Sequence, residues 1–130
     1  MASTNKAMSD AYMVENAKKA GVKTTESGLQ YEILREGKGA ATTNNSMVKV
    51  HYTGKMIDGS SFDSSYDRGE PATFSAGAVI PGFSEGLQLM KEGGKYEFYI
   101  PSDIAYGEAG NAGIEPNSTL IFTVELLSVK

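Results

Sequence analysis

Pro81-Gly82-Phe83-Ser84-Glu85-Gly86-Leu87-Gln88-Leu89-Met90 breaks the β pattern of the sequence around it. Its apolar residues Phe83, Leu87 and Met90 recur at i, i+4 and i+7, the spacing of one helix face. Pro81 suits a first helical position, where its missing N–H would have no partner, and Gly93-Gly94 predicts the stop. On both sides of this stretch the period is two. Upstream, Leu29, Tyr31 and Ile33 alternate with Gln30, Glu32 and Leu34, and Val48, Val50 and Tyr52 alternate with Lys49, His51 and Thr53. Downstream, Tyr96, Phe98 and Ile100 alternate with Lys95, Glu97 and Tyr99, and Leu120, Phe122, Val124 and Leu126 share one face. Successive strand side chains point to opposite faces, so each segment reads as a half-buried strand. Ser60 to Asp63 and Ala72 to Ser75 are shorter strand candidates, and Asp58-Gly59 carries a hairpin signal. One short amphipathic helix among strands gives an α+β fold, an antiparallel β-sheet closed over the helix.

Residues 7 to 20 lack Gly and Pro and contain good helix formers, with Gly21 as a plausible stop. The apolar stripe is thin: Met8, Ala11 and Tyr12, then Glu15. This predicts an N-terminal helical extension over residues 1–27, an appendage and the stump of a longer connecting helix, ahead of a domain over 28–130. The alternative is a helix docked on its own domain, since amphipathicity decides such cases. The thin stripe also predicts that the chain by itself is mainly monomeric.

The chain has 130 residues, 40% hydrophobic and 22% charged, enough for one domain with its own core. A net charge of −4 offers no basic footprint for nucleic acid. There is no cysteine, so no disulfide, thiol nucleophile or cysteine-based zinc site exists. No apolar run reaches the length of a membrane span, and Met1 to Lys6 has no apolar core like that of a secretory signal. His51 is the one histidine and falls on the polar face of its strand, where a solvent-exposed side chain is expected. A Ser-His-Asp triad would need it inside a site. The acidic residues lack calcium-loop spacing, and neither a dinucleotide fingerprint nor a phosphate loop occurs. No cofactor or metal is expected. What remains is aromatic: Tyr52, Phe62, Phe74, Phe83, Tyr96, Phe98, Tyr106 and Phe122. Periodicity leaves open whether they form plain core or a concave pocket.

Six motifs, in order along the chain, separate the two. They are Val50-His51-Tyr52-Thr53-Gly54, Asp58-Gly59, Phe62-Asp63-Ser64-Ser65, Val79-Ile80-Pro81-Gly82-Phe83, Ala105-Tyr106-Gly107 and Leu120-Ile121-Phe122-Thr123-Val124-Glu125-Leu126-Leu127. Together they resemble the signature of the FKBP-type peptidyl-prolyl cis-trans isomerases over residues 28–130. Thr25-Glu26-Ser27-Gly28-Leu29-Gln30-Tyr31, with the helix before it, resembles the bacterial Mip and FkpA branch. There a long helix joins the isomerase domain to an N-terminal dimerisation domain, which is not expected within these 130 residues.

The resemblance implies a bent antiparallel sheet wrapped around one short helix. Carried over position by position, it implies a pocket floor at Phe83, where many members have Trp, and walls at Tyr52, Phe62, Val79, Ile80 and Phe122. Asp63 and Tyr106 become the polar groups, Arg68 pairs with their network, and Ile114 lies on a covering loop. The catalytic set implied is Asp63, Tyr106, Phe122 and Tyr52. The implied activity is rotation about X-Pro bonds in polypeptides, assisting folding, with tacrolimus and rapamycin as inhibitors. The implied location is the periplasm or cell envelope if a signal has been removed, otherwise the cytoplasm. An intact protein with the additional domain would be a dimer. The rivals are a binding module or polypeptide chaperone with little turnover, and a small-ligand carrier. Phe83, Ala72, Asn111 and Glu115 depart from the commonest family pattern, but Tyr52, Asp63, Tyr106 and Phe122 are all present, which favours the enzyme.

Overall fold

The computed structural model describes residues 2–43, 45–57, 59–77, 79–106 and 118–130, with side chains from Lys6 onward. Among the described residues seven strands form one antiparallel sheet: β1 Val22–Thr24, β2 Gln30–Arg35, β3 Met47–Met56, β4 Ser61–Ser64, β5 Ala72–Ser75, β6 Lys95–Ile100 and β7 Leu120–Val129. The order is β1-β2-β6-β7-β3, and the outer edge of β3 is shared. β4 pairs with Thr53–Lys55, and β5 pairs with Met47–Val50. The strand alternation is obeyed: Val48, Val50, Phe98, Ile100, Leu120, Val124 and Leu126 are all fully buried.

Helix α3, Pro81–Gln88, lies on that buried face and carries Phe83 and Leu87 into the core, with Met90 just beyond its end. Two glycines let it settle close to β6. A Cβ on Gly86 would stand 2.8 Å from the Phe98 ring, and one on Gly82 would stand 2.4 Å from Ile100 Cγ2. The helix stops before the expected Gly93-Gly94. Leu89 caps it, and the chain then turns through Lys91, which bridges to Ala41. Gly93, at φ +93°, and Gly94 instead form the turn that hydrogen-bonds Leu126 at 2.8 and 2.9 Å.

Helix α1 spans Ala2–Asn16, four residues short of the expected end at 20, and it docks on the sheet rather than standing clear of it. The grip is polar, which is why a thin apolar stripe did not reveal it. Buried Ser9 accepts the Thr119 backbone N–H at 3.1 Å. Buried Asn16 donates to Gln30 Oε1 at 2.9 Å, and Gln30 donates to the Met13 carbonyl at 2.9 Å. Tyr12 packs 6.4 Å from Tyr99, centroid to centroid, and the Lys19 ammonium lies 6.0 Å from the Tyr99 ring. Tyr99, which alternation assigns to the solvent face, is therefore 3% exposed, and burial drives its phenol far above the ordinary value. Val22–Thr24 pairs with Gln30–Glu32, so the sheet begins inside the expected extension.

A second helix, α2 Ser65–Arg68, was not foreshadowed by periodicity, being a single turn. Its signal is the cap: the Ser64 hydroxyl accepts the Asp67 N–H, and Gly69 at φ +78° closes the other end. A 3-10 turn, Ser102–Ile104, follows β6. Among the described residues no helix is long and apolar enough to cross a membrane.

Candidate active site

Where α3 meets the β3–β4–β7 corner, the core opens into a cavity of about 320 Å³. Its lining is Tyr52 from β3, Phe62 and Asp63 from β4, Phe74 from β5, Val79 and Ile80 ahead of α3, Phe83 from α3, Tyr106 and Phe122 from β7. Phe83 is the hub. Its ring meets Phe122 edge-on at 4.9 Å and 79°, Tyr52 at 6.2 Å and 86°, and Phe74 at 6.0 Å and 70°. Phe62 stands on Phe122 at 5.6 Å and 88°. Edge-to-face contacts set positive ring edges against negative faces, so each ring fixes its neighbour's tilt. Phe83, Phe122 and Tyr52 are buried, and Phe62 and Phe74 half-buried.

The polar rim is a closed triad. The Tyr52 hydroxyl donates to Asp63. Arg68 donates to the other Asp63 oxygen and, at 3.1 Å, to the Tyr52 hydroxyl oxygen. Ser64 N–H donates to Asp63 at 2.9 Å. Burial pushes the Asp63 carboxyl up, but the hydrogen bonds from Tyr52 and Arg68, with the arginine's charge, outweigh it and hold the group below its ordinary value. Burial first, then the Asp63 hydrogen bond, raises the Tyr52 phenol, which stays neutral at physiological pH. The Asp63 and Arg68 side chains are 37% and 46% exposed, so the pair orients more than it stabilises.

Of the residues singled out in the sequence, Tyr52, Phe62, Asp63, Val79, Ile80, Phe83, Tyr106 and Phe122 converge on this cavity. Arg68 stands beside it and reaches in through its hydrogen bonds. Ile114, with Asn111 and Glu115, lies outside the described residues. Phe74 completes the lining, although the sequence offered it only as one aromatic among several. Gly54 supports the site without lining it. A Cβ there would stand 2.7 Å from Phe62 and 3.0 Å from Phe122, so only glycine lets both rings close on β3. His51 is corrected: it is half-buried, stacked on Tyr66 at 4.5 Å, with Nδ1 2.9 Å from the Ser65 hydroxyl. The short α2 turn brings Ser65 and Tyr66 over it, which strand alternation cannot foresee. No cluster of three metal-ligating side chains occurs among the described residues.

The family described as FKBP-type peptidyl-prolyl cis-trans isomerase matches residues 38–127, and the domain amino-terminal to it matches residues 1–33. An FKBP-type isomerase, FkpA of Aeromonas hydrophila, is 53% identical over 97% of this chain and 47% of its own length. The FKBP-type 22 kDa isomerase of Escherichia coli K12 is 56% identical over 91% of this chain and 58% of its own. The crystal structure of Escherichia coli FkpA superposes with a TM-score of 0.97 at 50% identity, over 99% of this chain and 61% of that one. The chain thus spans about half the length of the curated relatives it matches. Matched by that family over residues 38–127, and aligned with these relatives over nearly its whole length at about half identity, the chain belongs to the FKBP-type peptidyl-prolyl cis-trans isomerase family.

Proposed function

We propose that this chain catalyses rotation about X-Pro bonds in polypeptides, with the proline ring seated on Phe83. The observation that carries this reading is the aromatic floor itself: Phe83 wedged among Tyr52, Phe74 and Phe122 beneath an open cavity edged by one polar triad. The X-Pro amide resists rotation through partial double-bond character, with a barrier of about 18–20 kcal/mol. In the twisted transition state that resonance is lost, the carbonyl is less polar and the nitrogen more pyramidal. An apolar, water-poor seat favours this form over the planar one, which is transition-state binding without a nucleophile. A thousandfold acceleration requires about 4 kcal/mol of such preference.

In this reading Tyr106 donates a hydrogen bond to a substrate carbonyl. The Ile80 backbone N–H, at the N-cap of α3, holds a flanking one. Asp63, kept ionised by Tyr52 and Arg68, orients the rim and supplies local field. Ile114, outside the described residues, is the further substrate-binding candidate that the resemblance implies. Proline-containing polypeptides are the substrates, protein folding is the process assisted, and tacrolimus and rapamycin occupy the same seat. In this reading α1 is the end of a longer connecting helix, and the intact protein dimerises through a domain ahead of it, while the 130-residue chain stays mainly monomeric. A periplasmic or cell-envelope location follows for a precursor with a removed leader, and a cytoplasmic one without it; cell fractionation decides. The activity is tested by cis–trans exchange in a short apolar-X-Pro peptide, with and without the protein and with a macrolide as competitor. Acceleration abolished by the macrolide supports the reading. Binding without acceleration would make the chain a binding module.

A further inference from the structure

Beside β3 the sheet has a gap. β4 pairs with Thr53–Lys55 and β5 with Met47–Val50, so neither strand is paired with β3 at Tyr52. The fully buried Ser65 hydroxyl fills that gap. It accepts the Tyr52 N–H at 2.7 Å and reaches the Tyr52 carbonyl at 3.3 Å. His51 Nδ1 lies 2.9 Å from the same oxygen. A hydroxyl has one hydrogen and two acceptor sites. The Tyr52 N–H takes one acceptor site, and the carbonyl needs the single hydrogen. With the hydroxyl's hydrogen on the Tyr52 carbonyl, His51 is the donor and carries its proton on Nδ1.

The same histidine grips the next residue of α2. Its ring stacks on Tyr66 at 12° between planes, and the Tyr66 hydroxyl donates to Glu125 at 3.3 Å. Glu125 is itself held by Arg35 at 2.9 Å. Two residues after Tyr66 the same turn delivers Arg68 to Asp63 and Tyr52. His51 and Tyr52 are adjacent on β3 and point to opposite faces, so the turn is held from the back of the strand while its arginine enters at the front.

We propose that His51, protonated on Nδ1, and Ser65 are a positioning pair that sets Arg68 onto the Asp63–Tyr52 rim. The inference rests on reading that rim as part of the isomerase site. His51→Phe keeps a flat ring for Tyr66 and removes the donor. His51→Asn keeps a hydrogen-bonding group near the Nδ1 position. Removing the donor should lower kcat/KM about three- to tenfold, the share of one hydrogen bond. In an Arg68→Ala background it should cause no additional loss of activity, while the losses in Tm add. His51→Asn should restore most of the activity. Nitrogen-15 shifts of His51 at neutral pH should show Nδ1 protonated, a readout independent of turnover. Equal activity losses from His51→Phe in both backgrounds, or a proton on Nε2 alone, would overturn the pair in an active enzyme. A wild-type chain without isomerase activity would overturn the site reading and the pair's catalytic role together.

Discussion

Gly54→Ala separates the geometry of the pocket from the stability of the fold. Gly54 lies in β3 with no positive φ, so alanine fits its backbone. What it lacks is space: the new Cβ would lie 2.7 Å from Phe62 Cζ and 3.0 Å from Phe122 Cε1, where ordinary contact begins at 3.4 Å. Phe62 is half-exposed and Phe122 buried, so the Phe62 ring yields, by at least about 0.7 Å, the difference between 3.4 and 2.7 Å. Overpacking of this kind costs about 1–3 kcal/mol, offset by about 0.5–1 kcal/mol from a less flexible unfolded chain, for a net loss of up to about 2.5 kcal/mol. Displacing a wall of the proline seat should cost more in rate, about tenfold in kcat/KM, since misplacement by 1 Å costs up to about a hundredfold. Gly59→Ala is the matched control. Gly59 has φ +90° and nothing within 4 Å of a built Cβ, so its alanine variant loses about 1–2 kcal/mol to backbone strain and touches no ring. Urea unfolding and peptide exchange on both variants complete the comparison. Similar stability losses with activity lost only in Gly54→Ala are expected. Activity that tracks stability alike in both variants would mean that Gly54 does not shape the pocket.

Tyr106→Phe and Asp63→Ala should lower turnover by more than they lower Tm, whereas Phe122→Ala should damage both, since truncating a buried aromatic costs about 3–5 kcal/mol; calorimetry beside the exchange assay decides. Asp63 titrates below its ordinary value in the fold, so its contribution to stability is complete above the unfolded-state pKa and is lost as pH falls through the lower folded-state value. Denaturant midpoints measured from neutral pH down into that acid range should show a loss that Asp63→Asn removes, and an unchanged profile in the variant would contradict it. Deleting residues 2–21 should leave kcat/KM nearly intact, because no cavity residue lies there, but lower Tm, because Tyr99 is uncovered and Gln30 and the Thr119 N–H lose partners; an unchanged Tm would mean the helix contributes nothing to the domain.

Much of this was readable from periodicity. The inward faces of β3, β6 and β7 and the helix bearing Phe83 follow from spacings of two and of three to four residues, because one buried face imposes that pattern. The pattern fails where an element is covered on both sides or held by polar groups. Tyr99 is buried by α1 on the face that alternation gives to solvent, and α1 itself is anchored by Ser9 and Asn16, which no hydrophobic pattern registers. α2 is one turn long, too short for any period, and with it went the placement of His51. The cavity residues were legible only through the motif order of the resemblance. Nothing in a list of aromatic residues distinguishes Phe74, which lines the cavity, from Phe98, which is buried under Gly86. Gly54 carried a signal of a kind, a glycine inside a strand pattern, which marks close approach of a neighbour.

Turnover of X-Pro bonds on the Phe83 seat is measured by magnetisation exchange between cis and trans forms of an apolar-X-Pro peptide at micromolar protein. Exchange far faster than in buffer is expected, with Phe83 and Tyr52 signals shifting as the peptide is added. Exchange at the buffer rate, with the protein folded and the peptide bound, would contradict turnover on that seat.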